Sequence, residues 1–149
     1  MTIINLQTKF NADINRCFDL SRDVDAHKLT AKRTNETAIA GRTSGLCQLG
    51  DKITWEAKHF GIRQRLTVEI TKMNPPYFFE DIMLKGAFKS MRHIHTFESK
   101  NGHTIMTDEF YYEVPFGILG KIFDVLVLKK YMTNFLKIRN QILKDILES

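Results

Sequence analysis

The sequence predicts an α+β fold: an antiparallel sheet, two short helices after its first strand, and a long C-terminal helix lying across the sheet. Three observations carry this reading. Apolar and polar residues alternate from Lys52 to Val114, with breaks only at turn residues. A helical period then runs from about Gly117 to Leu147. A length of 149 residues, 43% hydrophobic and 26% charged, suits one globular domain spanning 1–149 and argues against disorder.

Taken in order, Thr2 to Phe10 reads as a first strand, with Ile4 and Leu6 apolar. Asn11-Ala-Asp13 offers helix caps ahead of Ile14, Cys17, Phe18 and Leu20, whose spacing of three and four fits a short amphipathic helix. A second short helix is expected from Val24 to Leu29. Gly41, Gly45 and Gly50 mark a loop-rich stretch with no assignable pairing. From Lys52 to Phe60, Ile53, Trp55 and Ala57 share one face. Gly61 then turns the chain into a strand carrying Ile62, Leu66, Val68 and Ile70 on one side. Asn74-Pro75-Pro76 turns into Tyr77 to Leu84, and Lys85-Gly86 into Phe88 to Ser99. Asn101-Gly102, between alternating runs, is a strong hairpin signal leading into His103 to Val114.

The long helix would be roughly 45 Å long at about 1.5 Å per residue, enough to cross the sheet. Lys130, Asn134, Lys137, Gln141 and Lys144 form its polar stripe, opposite Leu128, Met132, Phe135, Leu136, Ile142, Leu143 and Ile146. Its first half is apolar nearly all round. Phe123 and Val127 fall above the lysine stripe, where covering loops are the expected explanation.

Net charge is +5, spread thinly along the chain without a basic helix or zinc-finger spacing, so no nucleic-acid partner is expected. Cys17 and Cys47 lack C-x-x-C spacing and give neither a disulfide framework nor a thiolate metal site. There is no basic leader and no run approaching ~20 apolar residues. A cytoplasmic protein without stable membrane insertion is therefore expected.

The informative residues are polar ones on apolar faces. Period-two arithmetic groups Met91, His93, His95 and Phe97, and likewise Met106, Asp108, Phe110, Tyr112 and Val114. Asp81 groups with Phe79 and Met83, although Phe78, Ile82 and Leu84 make the opposite face of that strand apolar too, and Arg139 falls near the centre of the apolar helix face. Two readings stay open. One is a satisfied buried network, for example Arg139 with Asp108 or Asp81. The other is a cavity whose ligand is oriented by Asp81, His93, His95, Asp108 and Arg139 and contacted by Trp55, Phe79, Phe97, Phe110 and Tyr112. His93-x-His95 also has metal-ligand spacing, with Asp81, Asp108 or His59 as further candidates. Such pairs are frequent by chance, so no metal and no cofactor are expected. A His–Asp pair could serve as a general base, but no nucleophile elbow, phosphate loop or Ser/Cys–His signature accompanies it, and no catalytic residue is assigned.

Strand, two short helices, a meander and a long closing helix resemble the helix-grip architecture of the START-like (SRPBCC) superfamily. The closest likeness is to its polyketide cyclase/dehydrase-like and uncharacterised bacterial ligand-binding branches. The resemblance is carried by Phe18-Asp19, Gly50-Asp51 with Ile53-Thr54-Trp55, Phe79-Glu80-Asp81, Gly86-Ala87-Phe88, His93-Ile94-His95-Thr96-Phe97, Thr104 to Asp108, Pro115 to Gly120, and Arg139-Asn140. It implies a curved sheet wrapped around the long helix, with a hydrophobic cavity between them. The expected function is binding of a hydrophobic or amphiphilic small molecule, lipid or polyketide-like. One alternative is a cyclase or dehydratase using a His–Asp pair. Another is a partner- or membrane-interaction protein, including a homodimer, acting through the apolar start of the long helix.

Overall fold

The computed structural model describes residues 1–149. Seven strands form one antiparallel sheet in the order β1-β7-β6-β5-β4-β3-β2. They are β1 (Thr2–Phe10), β2 (Thr37–Gly41), β3 (Lys52–His59), β4 (Ile62–Asn74), β5 (Phe78–Lys85), β6 (Ser90–Lys100) and β7 (His103–Glu113). From β2 to β7 each strand pairs with the next, and β1 closes against the last. The bulges in β4 at Thr67/Val68 and Ile70/Lys72 are where the partner register slips, a device that bends a strand and curves its sheet.

Local chemistry accounts for the connections. Asp13 caps α1 (Ile14–Ser21) by accepting from the Asn15 and Arg16 amides, and Asp23 caps α2 (Val24–Thr30) through the Asp25 and Ala26 amides. Asn101 and Gly102 both have positive φ, 51° and 81°, as the two central residues of the expected tight hairpin require. The loop-rich stretch before β3 does contain a strand. β2 is short, bulged and mostly exposed, so no buried face marks it in the sequence.

The expected single helix is a helical run of 32 residues. It comprises α3 (Gly117–Phe123), a wider π-helical segment at Asp124–Leu128, and α4 (Lys129–Glu148). The inward residues recur every four positions: Gly120, Asp124, Leu128, Met132, Leu136, Asn140. A spacing of four exceeds the 3.6 residues of an α turn, so such a stripe would drift around a regular helix. The wider turn takes up part of that drift. It also brings Asp124 inward, where the Tyr112 hydroxyl donates to it at 2.5 Å and the Thr2 hydroxyl donates to its other oxygen. Gly120 permits the close approach at the start of the run, because a Cβ there would stand 1.8 Å from the Pro115 carbonyl oxygen.

Loops do not cover the start of the helix, contrary to expectation. Phe123 and Val127 are exposed, and Leu119, Val125 and Leu126 still more so. No helix is long and apolar enough to cross a membrane.

The core divides into two apolar clusters. One gathers Ile53, Trp55, Val68, Met91, Phe110, Tyr112 and Leu136; the other gathers Phe10, Phe18, Phe79, Phe97, Met106, Leu143 and Leu147. Following any of four elements from one cluster to the other crosses a polar residue: Asp81 on β5, His93 and His95 on β6, Asp108 on β7, Asn140 on α4.

Gly120→Ala forces the helix start away from Pro115. It should lower unfolding free energy by about 1–3 kcal/mol, the usual range for overpacking, measured by urea denaturation.

Candidate functional site

A cavity of about 330 Å³ lies between the sheet and the helical run, and 22 of its 36 lining residues are hydrophobic. That volume is at the lower end for small-molecule sites, which are mostly apolar with a few placed polar groups. Of the residues expected to contact a ligand, Trp55, Phe79, Asp81, His93, His95, Phe110 and Arg139 line the wall. Phe97, Asp108 and Tyr112 stand behind it: Phe97 in the second apolar cluster, Tyr112 against Asp124, and Asp108 beneath the histidines.

Strand register assembles the polar layer. Asp81 pairs with His93, and His95 pairs with both Phe79 on β5 and Asp108 on β7. The two imidazoles lie 3.8 Å apart between centroids, and Phe79 stacks on His95 at 4.3 Å. His93 Nε2 meets Asp108 Oδ1 at 2.8 Å, and Asn140 Nδ2 donates to Asp108 Oδ2 at 2.7 Å. His95 stands 3.1 Å from Asp108 through Nδ1 and 3.6 Å from Asp81 through Nε2.

These neighbours divide the charge unevenly. Burial, then the nearby charge on His95, pushes His93 down to about 4, so it is neutral at pH 7 and donates its Nε2–H in a hydrogen bond to Asp108. Burial also works against a charged His95, but the carboxylates of Asp108 and Asp81 outweigh it and hold His95 above the ordinary imidazole range. Burial would raise both carboxyls. The histidines reverse this, holding Asp81 low and Asp108 well below the usual carboxylate range.

Arg139 behaves differently from the sequence expectation. Asn140, not Arg139, reaches Asp108. Arg139 lines the cavity and makes no hydrogen bond or ion pair, while its charge helps to lower both Glu36 and Asp81. It is a half-buried guanidinium in a mostly apolar wall, with neither a hydrogen bond nor an ion pair.

Two polar wall groups, His27 and Glu36, escaped the sequence reading, and a third, His59, was weighed only as a metal ligand. His27 pairs with Glu36 at 2.5 Å and lies against Trp55, with ring centroids 4.2 Å apart. His59 Nδ1 meets the Tyr131 hydroxyl at 2.6 Å, far from the His93–His95 cluster it was weighed against as a metal ligand. A signal for His59 was present, since it continues the period-two face of Ile53, Trp55 and Ala57. Glu36 had none: it precedes the short, exposed β2.

Exposed aromatics mark the cavity's opening. Phe60 and Phe116 both line it and are both exposed, with Phe60 packed on Tyr131 at 4.4 Å. Both have positive φ, 52° and 68°. The other two non-glycine residues with positive φ are Asn35 and Asn101, a residue type that tolerates it. A bulky ring in that region is strained, and such strain concentrates at functional sites.

No protein-family model and no curated protein matches this chain. Solved structures do. A protein from Thermus thermophilus is 17% identical with a TM-score of 0.74, covering 95% of this chain and 97% of that one. A START superfamily protein from Mycobacterium smegmatis is 11% identical with a TM-score of 0.74, covering 98% and 97%. Major latex-like protein 151 from Panax ginseng is 14% identical with a TM-score of 0.70, also covering 98% and 97%. At these identities the likeness is one of fold: the chain has the START-like helix-grip architecture, a curved antiparallel sheet closed by a long C-terminal helix.

Asp108→Ala would leave His93 and Asn140 buried without their common acceptor and His95 without its neighbouring carboxylate. It should cost about 3–5 kcal/mol, as removing one member of a buried ionic cluster does, read from the shift in denaturation midpoint.

Proposed function

We propose that residues 1–149 act as one ligand-binding domain whose cavity takes an amphiphilic small molecule, lipid or polyketide-like, bearing a carboxylate. The observation that carries this reading is the unpartnered guanidinium of Arg139 in a mostly apolar wall. Arg139 is half-buried; a charge partly withdrawn from water gains from a partner of opposite sign, and a planar guanidinium matches a carboxylate in two parallel hydrogen bonds. The ligand body would lie against Trp55, Phe79 and Phe110. The START-like fold supports a ligand-binding role without selecting the ligand.

Trp55 is the only tryptophan in the chain and stands in the wall, so its fluorescence reports occupancy. A long-chain carboxylic acid should change it saturably. Arg139→Leu should weaken binding of the acid by about 10- to 100-fold, the worth of a charged hydrogen bond, and leave the neutral methyl ester unaffected. Equal loss for acid and ester would remove Arg139 from the role. No saturable response to either, with a ligand-free mass in native mass spectrometry, would end the ligand-binding reading.

A second reading concerns the uncovered helix start. Leu119, Val125 and Leu126 are exposed beside Lys121, Lys129 and Lys130, next to the cavity opening at Phe116 and Phe123. Apolar side chains flanked by lysines suit peripheral contact with an anionic lipid surface. Leu126 does not line the cavity, so Leu126→Glu should abolish sedimentation with anionic vesicles while sparing ligand binding. Wild-type protein that ignores vesicles at low salt but self-associates through this face would assign it to a homodimer instead.

A further inference from the structure

The polar layer holds donor atoms that its own hydrogen bonds leave unused. Asp108 Oδ1 engages His93 through Nε2 at 2.8 Å and stands 3.1 Å from His95 Nδ1. The opposite ring nitrogens, Nδ1 of His93 and Nε2 of His95, therefore point elsewhere. Neither makes a hydrogen bond, although both rings are buried. His95 Nδ1 lacks a well-aligned partner too. Across the gap, Asp81 Oδ2 is 3.6 Å from His95 Nε2, beyond hydrogen-bond reach. Asp81, His93 and His95 each bring one donor atom within 4.8 Å of the other two.

We propose that Asp81, His93 and His95 bind a first-row divalent cation, with zinc as the reference ion. Two imidazoles and one carboxylate are a donor set that such ions favour. Bonds of about 2.0–2.2 Å set neighbouring ligand atoms roughly 3–3.6 Å apart. The gap between Asp81 and His95 has that size. Asp108 takes the role that orients metal-bound histidines: it accepts from the far side of the His93 ring and stands 3.1 Å from the far nitrogen of His95, and Asn140 holds it in place. Asp81 and Asp108 together carry the two negative charges that neutralise a dication.

The chemistry follows from placement. All three ligands line the cavity, so a cation held by them would stand at its wall. A bound molecule with an oxygen-bearing end would meet a Lewis acid there. The metal site does not depend on the proposed carboxylate at Arg139, and its test uses ligand-free protein.

Tag-free protein, stripped with chelator, is titrated with Zn²⁺ by equilibrium dialysis and with Co²⁺ by visible absorption. The expected result is one equivalent per chain, with intense Co²⁺ bands of low coordination number. Asp81→Asn and His95→Gln, each checked by circular dichroism without metal, should weaken Zn²⁺ uptake tenfold or more. No saturable uptake by the wild type overturns the proposal and leaves a metal-free polar network. Uptake unchanged in both folded variants overturns it as well, by moving the ion to another site. Should a variant fail to fold, the wild-type Co²⁺ spectrum decides: weak bands resembling the hydrated ion reject the three-residue site.

Discussion

One carboxylate, Asp108, joins three elements of the fold. It accepts from His93 on β6 and from Asn140 on α4, stands beside His95, and belongs to β7 itself. A charge this deeply buried is tolerated only where its neighbours replace the water it lost. Here the replacement comes from two imidazoles and a side-chain amide. Each of those groups constrains the element that bears it. Asp108 thereby ties β6, β7 and α4 together at one level of the core.

The polar layer separates two apolar clusters that would otherwise merge into one packed core. On one side, Phe10, Phe18, Phe79, Phe97, Leu143 and Leu147 pack closely at the end of the helix. On the other, the helix start turns outward and the cavity opens toward Phe60 and Phe116. One end of the molecule supplies packing; the other is left partly unfilled. The helix accommodates both through the π-helical segment, which brings Asp124 inward against Tyr112 while its apolar neighbours Val125 and Leu126 face out.

Features that cost stability gather around the cavity. Two phenylalanines adopt a backbone conformation that suits asparagine or glycine, a guanidinium lacks a partner, and a row of large apolar side chains faces water. None of these helps the chain to fold. Their collection at one opening is the pattern expected where selection acts on binding rather than on packing.

Much of the architecture was legible in the residues alone. Alternation from Lys52 to Val114 identified the faces of β3 to β7, because the side-chain period of a strand is two and one face is buried. The same arithmetic put His93, His95 and Asp108 on inward faces, while the two apolar faces of β5 left the direction of Asp81 open. It failed for β2, which buries too little to leave a pattern, and for Glu36 beside it. By itself the sequence determined which strand residues turn inward and that a long helix covers them. Only the tertiary structure decided what they meet. Adjacent helix residues differ in direction by roughly 100°, so the rotation of α4 about its axis decides whether Arg139 or Asn140 meets Asp108. That rotation is set by the packing of Leu136, Leu143 and Leu147 and by the wider turn at Asp124–Leu128, and a helical wheel drawn at a constant angle contains neither.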